Sequence, residues 1–82
     1  MEIIKPLTHI EHLLENLTPR QLDVFILYGK GRSPDQIAET LFISKKTVWS
    51  HKSDIIDEIG FKNSFEFMYH AIKFIYQGDN GK

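Results

Sequence analysis

Ser33–Gly60, SPDQIAETLFISKKTVWSHKSDIIDEIG, reads as two helices joined by a very short turn, and the rest of the chain supports it. Ser33 is placed as N-cap, Pro34 as the first helical residue and Gln36 as the side chain that closes a capping box. Ile37, Ala38 and Leu41 follow at helical spacing. Phe42-Ile43 makes the turn, Ser44 caps the next helix, and Gly60 suits the left-handed position that ends it. In that second helix Val48, Ile55 and Ile59 share one face, with Ile56 at its edge. Lys46, Trp49, Ser50 and Ser53 share the opposite one.

Charge separates the two ends of this stretch. No acid lies between Glu39 and Asp54, where the charges are Lys45, Lys46 and Lys52, with His51 beside them. Lysines, small hydroxyls and free N–H groups in the first turns of a helix form a docking element for phosphates. A short helix, a tight turn and a second helix with polar residues near its start is the helix-turn-helix arrangement for the DNA major groove.

Working outward, Thr8 and Glu11 form a capping box ahead of Ile10, Leu13, Leu14 and Leu17, which predicts a short amphipathic helix over about 9–16. His9 and His12 lie on it three apart and, with no third ligand nearby, read as surface histidines. Thr18-Pro19-Arg20-Gln21 starts another helix, continuing to about Tyr28, and Gly29-Lys30-Gly31-Arg32 forms the break. Val24, Phe25 and Tyr28 face inward, and the flanking pair Leu22 and Ile26 is expected to be covered by the first helix. Asn63, with Glu66 closing its box, caps a last helix from about Ser64 to Gln77, ending at Gly78. Phe67, Met68, Ala71 and Ile75 can face the core. Phe65, Tyr69, Ile72 and Tyr76 make a separate stripe, covered either by the amino-terminal segment or by a second copy in a homodimer. The expected division is a segment over 1–16, a helix-turn-helix domain over 17–78 and a frayed tail over 79–82.

Eighty-two residues allow one small core. The chain has no cysteine, which excludes disulfides and thiolate metal sites and fits a reducing cytoplasm. No apolar run is long enough to cross a membrane, so no membrane partner is expected. Ten basic and eleven acidic side chains leave a net charge of −1, unusual for a nucleic-acid binder, so the case rests on local clustering at 45–52. The four histidines and the acids show neither nucleophile–base nor metal-ligand spacing, so the chain reads as no enzyme, with no cofactor and no metal.

Leu17-Thr18-Pro19-Arg20, Gly31-x-Ser33-x-x-x-Ile37-Ala38, Leu41-x-Ile43-Ser44-x-Lys46-Thr47-Val48-x-x-His51 and Ile59-Gly60 together resemble the DNA-binding domain of LuxR-type (GerE-type) transcription regulators, in one register from Leu17 to about Ala71. The resemblance implies an all-α, four-helix helix-turn-helix domain, here with an extra short amino-terminal helix. It implies double-stranded DNA as partner, with the third helix in the major groove and the fourth forming a dimer contact. Carried over by position, Trp49, Ser50 and Ser53 would read bases. Ser44, Lys45, Lys46, Thr47 and Lys52 would meet phosphates, while His51 would either touch phosphate or pack beneath the helix. The sequence departs from the family pattern at four places: Trp49 and Glu58 stand where lysine is frequent, Ser64 where arginine is common, and Gln21 where glutamate follows Thr-Pro-Arg. A protein-binding module using an exposed Trp49 is the competing reading. Family members often carry a regulatory domain as well, so a stand-alone regulator and the output part of a longer one are both open.

Overall fold

The computed structural model describes residues 13–79. They form four helices, α1 (Pro19–Gly29), α2 (Pro34–Leu41), α3 (Lys45–Ile59) and α4 (Ser64–Asp79), and among the described residues there is no strand. The helix starts follow the caps written in the sequence. Thr18 with Gln21 and Ser33 with Gln36 both form reciprocal capping boxes, with bonds of 2.9–3.2 Å. Ser44 accepts from the Thr47 amide at 3.0 Å. At α4, Asn63 accepts from the Glu66 amide at 3.0 Å, but the Glu66 carboxylate turns to the Lys62 amide at 2.8 Å rather than to Asn63. The reach is one residue longer than in a capping box, and it ties the linker to the helix it precedes.

Three helices end in the same way, with a left-handed residue whose neighbours bond back to the last turn. Gly31 (φ 86°), Phe42 (φ 59°) and Gly60 (φ 92°) hold these positions, with closing bonds from Arg32 to Leu27, Ile43 to Ala38 and Phe61 to Ile56 of 3.0–3.1 Å. Phe42 is the costly choice, since a side chain disfavours this conformation. The turn between α2 and α3 is therefore short and closed by its own hydrogen bonds.

The core lies where α1 crosses the other three helices. Its packing on α4 is the most extensive, and α2 packs chiefly on α3. Val24, Phe25, Ile37, Val48, Ile55, Phe67 and Ala71 are fully buried. Phe67 is the hub of an aromatic cluster, edge-on to Phe25, Tyr28 and Phe61 at 5.6, 5.2 and 6.1 Å between ring centroids. Each fully buried aromatic stabilises the fold by roughly 1.5–3 kcal/mol. The Tyr28 hydroxyl is buried and has no hydrogen-bond partner among the described residues, and desolvation pushes its pKa up from the ordinary value of 10.0.

Several boundaries differ from the sequence-based expectation. Gly29 belongs to α1 rather than to the break, and it is buried against Ala71. The last helix continues through Gly78 to Asp79, since one glycine inside a helix costs only about 1 kcal/mol against alanine and does not by itself end it. Phe61, in the short link between α3 and α4, is buried, and the His70 ring stacks on it at 5.2 Å. The expected first helix falls mostly outside the described residues. Leu13 and Leu14 are helical, and a turn follows at Glu15-Asn16. Leu14 is buried and lines a shallow apolar hollow with Leu22 and Phe74, while the rest of the expected cover for Leu22 and Ile26 lies outside the described residues.

Candidate nucleic-acid interface

α3 presents its inner and outer faces as its periodicity requires. Val48 and Ile55 are fully buried, while Ile56 and Ile59 are half-buried at the margin. Ser44, Lys45, Lys46, Trp49, Ser50 and Ser53 are exposed, and by helical spacing the five that lie on α3 share one surface. No acid interrupts that surface on α3 before Asp54. Its charges run against the helix dipole. Lys45 and Lys46 stand in the first turn, where acids are favoured, while Asp57 and Glu58 stand near the last, where bases are favoured.

Individual side chains divide the surface further. The Ser44 and Thr47 hydroxyls lie 2.8 Å apart and satisfy each other while Ser44 caps the helix, so both are held in place. Lys45 bonds to the Asp35 carboxylate of α2 at 3.2 Å and lies 5.4 Å from the Trp49 ring centroid. Lys46 makes no ion pair among the described residues, which leaves its ammonium available. The half-buried Lys52 leans inward, its ammonium 5.2 Å from the Tyr28 ring and 5.6 Å from that of Phe67. Its stem covers the aromatic cluster and its charge stands apart from Lys45 and Lys46. His51 is half-buried, between the surface and the core. Trp49 is 52% exposed, a large apolar ring presented to solvent.

On α4 the faces also separate. Phe67 and Ala71 are buried, and Met68, Phe74 and Ile75 half-buried. Phe65, Tyr69, Ile72 and Tyr76 are all exposed, and no described part of the amino-terminal segment covers them. Phe74, missed in the sequence, packs against Phe25 at 5.9 Å. Its seven-residue spacing from Phe67 was the available signal.

Among the described residues no group of three or more His, Asp or Glu side chains could hold a metal ion. No helix there is long and apolar enough to cross a membrane.

The family model for bacterial regulatory proteins of the luxR family matches residues 15–71. The chain belongs to that family. Its four helices are the helix-turn-helix domain of these DNA-binding regulators, with α2 and α3 as the helix-turn-helix pair. Similar relatives of this luxR-family chain include the oxygen regulatory protein NreC of Staphylococcus aureus strains JH9, JH1 and Mu3. Each is 40% identical over 57 residues, which cover 70% of this chain and 26% of the relative. The chain thus matches about a quarter of the length of those regulators. No solved structure matches it.

Proposed function

We propose that the chain is a sequence-specific DNA-binding transcription regulator, acting in the bacterial cytoplasm, that lays residues 44–59 in the major groove of double-stranded DNA as a homodimer. The observation that carries this reading is the exposed, acid-free outer face of the first half of α3, with two lysines at its amino-terminal end. Phosphates fall to Ser44, Lys45, Lys46 and Thr47, with His51 at the margin. Lys52 reaches a phosphate only by leaving Tyr28 and Phe67. Ser50 and Ser53 offer hydroxyls to base edges, and Trp49 offers its ring to a thymine methyl or a deoxyribose. Serines discriminate weakly, so part of the specificity falls to DNA shape. The exposed stripe of Phe65, Tyr69, Ile72 and Tyr76 fits a second copy.

A protein-binding module is the second reading, favoured by the exposed Trp49 ring and the net charge of −1. Two substitutions separate them. Lys46→Ala should weaken selected and random duplexes alike and flatten the salt slope by about one unit. Trp49→Ala should cost the selected duplex about 1–3 kcal/mol with a nearly unchanged slope. Binding by wild type that shows no salt dependence, or that survives both changes, refutes the DNA-facing role of α3.

A further inference from the structure

Asp35 sits in the first turn of α2, where the dipole of its own helix favours a carboxylate. Its carboxylate reaches across to Lys45, the first residue of α3 and a cation at the disfavoured end of that helix. The same ammonium stands over the Trp49 ring, one turn further along α3. A carboxylate, an ammonium and an indole are thereby lined up from α2 to the centre of the outer face. The ion pair is open to water, its two side chains 77% and 46% exposed, so it contributes little to holding the fold. Its consequences lie at the surface. It places the Lys45 ammonium beside the Trp49 ring, and it gives Lys45 a carboxylate that any incoming phosphate must displace or share.

We propose that Asp35 is a specificity-determining residue of this interface, acting through Lys45. It seats the Trp49 ring before DNA arrives and withholds the Lys45 charge from sequence-blind phosphate binding. The second effect rests on α3 being the DNA-facing helix; the first does not. A base-reading ring gains most from being placed in advance, because ordering it on binding costs free energy that a wrong site would equally have to supply. A lysine left free would attract every duplex equally, since phosphate contacts carry no sequence information. Asp35 therefore weakens binding in general while sharpening it.

The test uses Asp35→Asn in the whole 82-residue chain. Trp49 is the one tryptophan, so acrylamide quenching of its emission reports this ring alone. Without DNA, quenching should rise in Asp35→Asn, and also in Lys45→Met, which keeps the stem and removes the cation. The probes for binding are a duplex enriched from a random pool by wild type and a scrambled duplex of equal composition. Asp35→Asn should tighten the scrambled duplex by about fivefold, the worth of one charge contact in water. It should also steepen the salt slope by close to one unit. The enriched duplex should gain less, so discrimination falls. Lys45→Met should leave the slope on the scrambled duplex close to that of wild type, since Asp35 already withholds that charge there, and flatten the slope on the enriched one. Unchanged quenching in Asp35→Asn overturns the seating of the ring, and equal gains on both duplexes overturn the role in specificity. Wild type that binds neither duplex refutes the DNA reading, and the specificity role falls with it, while quenching still decides the seating.

Discussion

Replacing Gly29 by alanine puts two effects of opposite sign against each other. Gly29 lies inside α1, and in a helix alanine is favoured over glycine by about 1 kcal/mol. Propensity alone therefore expects a more stable protein. The crossing of α1 on α4 expects the reverse. A Cβ built on Gly29 would lie 2.4 Å from the Ala71 carbonyl oxygen and 2.8 Å from both the Ala71 carbonyl carbon and Ile75 Cγ1. Ile75 can rotate away, but the Ala71 carbonyl belongs to a helix backbone. Carbon and oxygen need about 3.3 Å, so the helices must part by roughly 1 Å. That gap opens beside the contacts of Phe67 with Phe25 and Tyr28. Overpacking of this kind costs about 1–3 kcal/mol, and an unyielding backbone places it at the upper end. The net loss is about 2 kcal/mol, which for a domain this small lowers the urea midpoint by roughly 2 M at a slope near 1 kcal/mol/M. Gly31→Ala is the control, because nothing lies within 4 Å of the added carbon and only the positive φ of 86° opposes it. It should lower the midpoint by about half as much. A Gly29→Ala midpoint at or above wild type refutes the close crossing of α1 and α4.

Other substitutions probe the buried hydroxyl and the open face of α4. Tyr28→Phe removes a buried hydroxyl that has no partner among the described residues, and should raise stability by about 1 kcal/mol in urea denaturation. Because the Tyr28 pKa is raised, its proton is held more tightly in the folded state. Wild-type stability should therefore fall as pH rises from about 10 through the folded pKa, a loss that Tyr28→Phe should lessen. Tyr69→Glu or Ile72→Glu should leave melting nearly unchanged, since both side chains are exposed, yet yield a monomer by sedimentation with weaker DNA binding. Wild type that stays monomeric both alone and on DNA refutes the seam.

The capped helix starts were legible because each uses a local chemical rule: a hydroxyl or amide at the cap and, before α1 and α2, a proline one residue on. The inner face of α3 was legible for a similar reason, since Val48 and Ile55 keep helical spacing. What escaped depends on where one helix meets another. Gly29 looks like punctuation, and only the nearness of Ala71 gives it a packing role. Phe61 looks like a linker until Phe67 and His70 close around it. At the candidate interface, residue type placed Lys45, Lys46 and Lys52 in one cluster, but side-chain direction separates them. One is paired to Asp35, one makes no ion pair among the described residues, and one lies over the aromatic core. Direction of this kind follows from neighbours far away in sequence, and no periodicity encodes it.

The polarity of α3 offers a way to tell a helix shaped by stability from one shaped by a partner. Its first turn holds no acid and its last no base, while Lys46 stands at one end and Glu58 near the other. Each charge on the wrong side of a helix dipole costs about 0.3–1 kcal/mol. A domain with a net stability of about 5–15 kcal/mol has little reason to accept several such costs unless the surface serves a ligand. Lys46→Glu tests this directly. It puts an acid where the dipole favours one, in an exposed side chain that makes no ion pair among the described residues. The swing from an unfavourable to a favourable charge should stabilise the domain by about 0.5–1.5 kcal/mol at low salt, less as salt screens it. DNA affinity should move the other way and further, because a phosphate contact becomes a repulsion. A protein more stable and less able to bind is the signature of a site held against its own folding preference. A Lys46→Glu variant that is less stable than wild type would show that the lysine serves the fold, and its position would then say nothing about DNA.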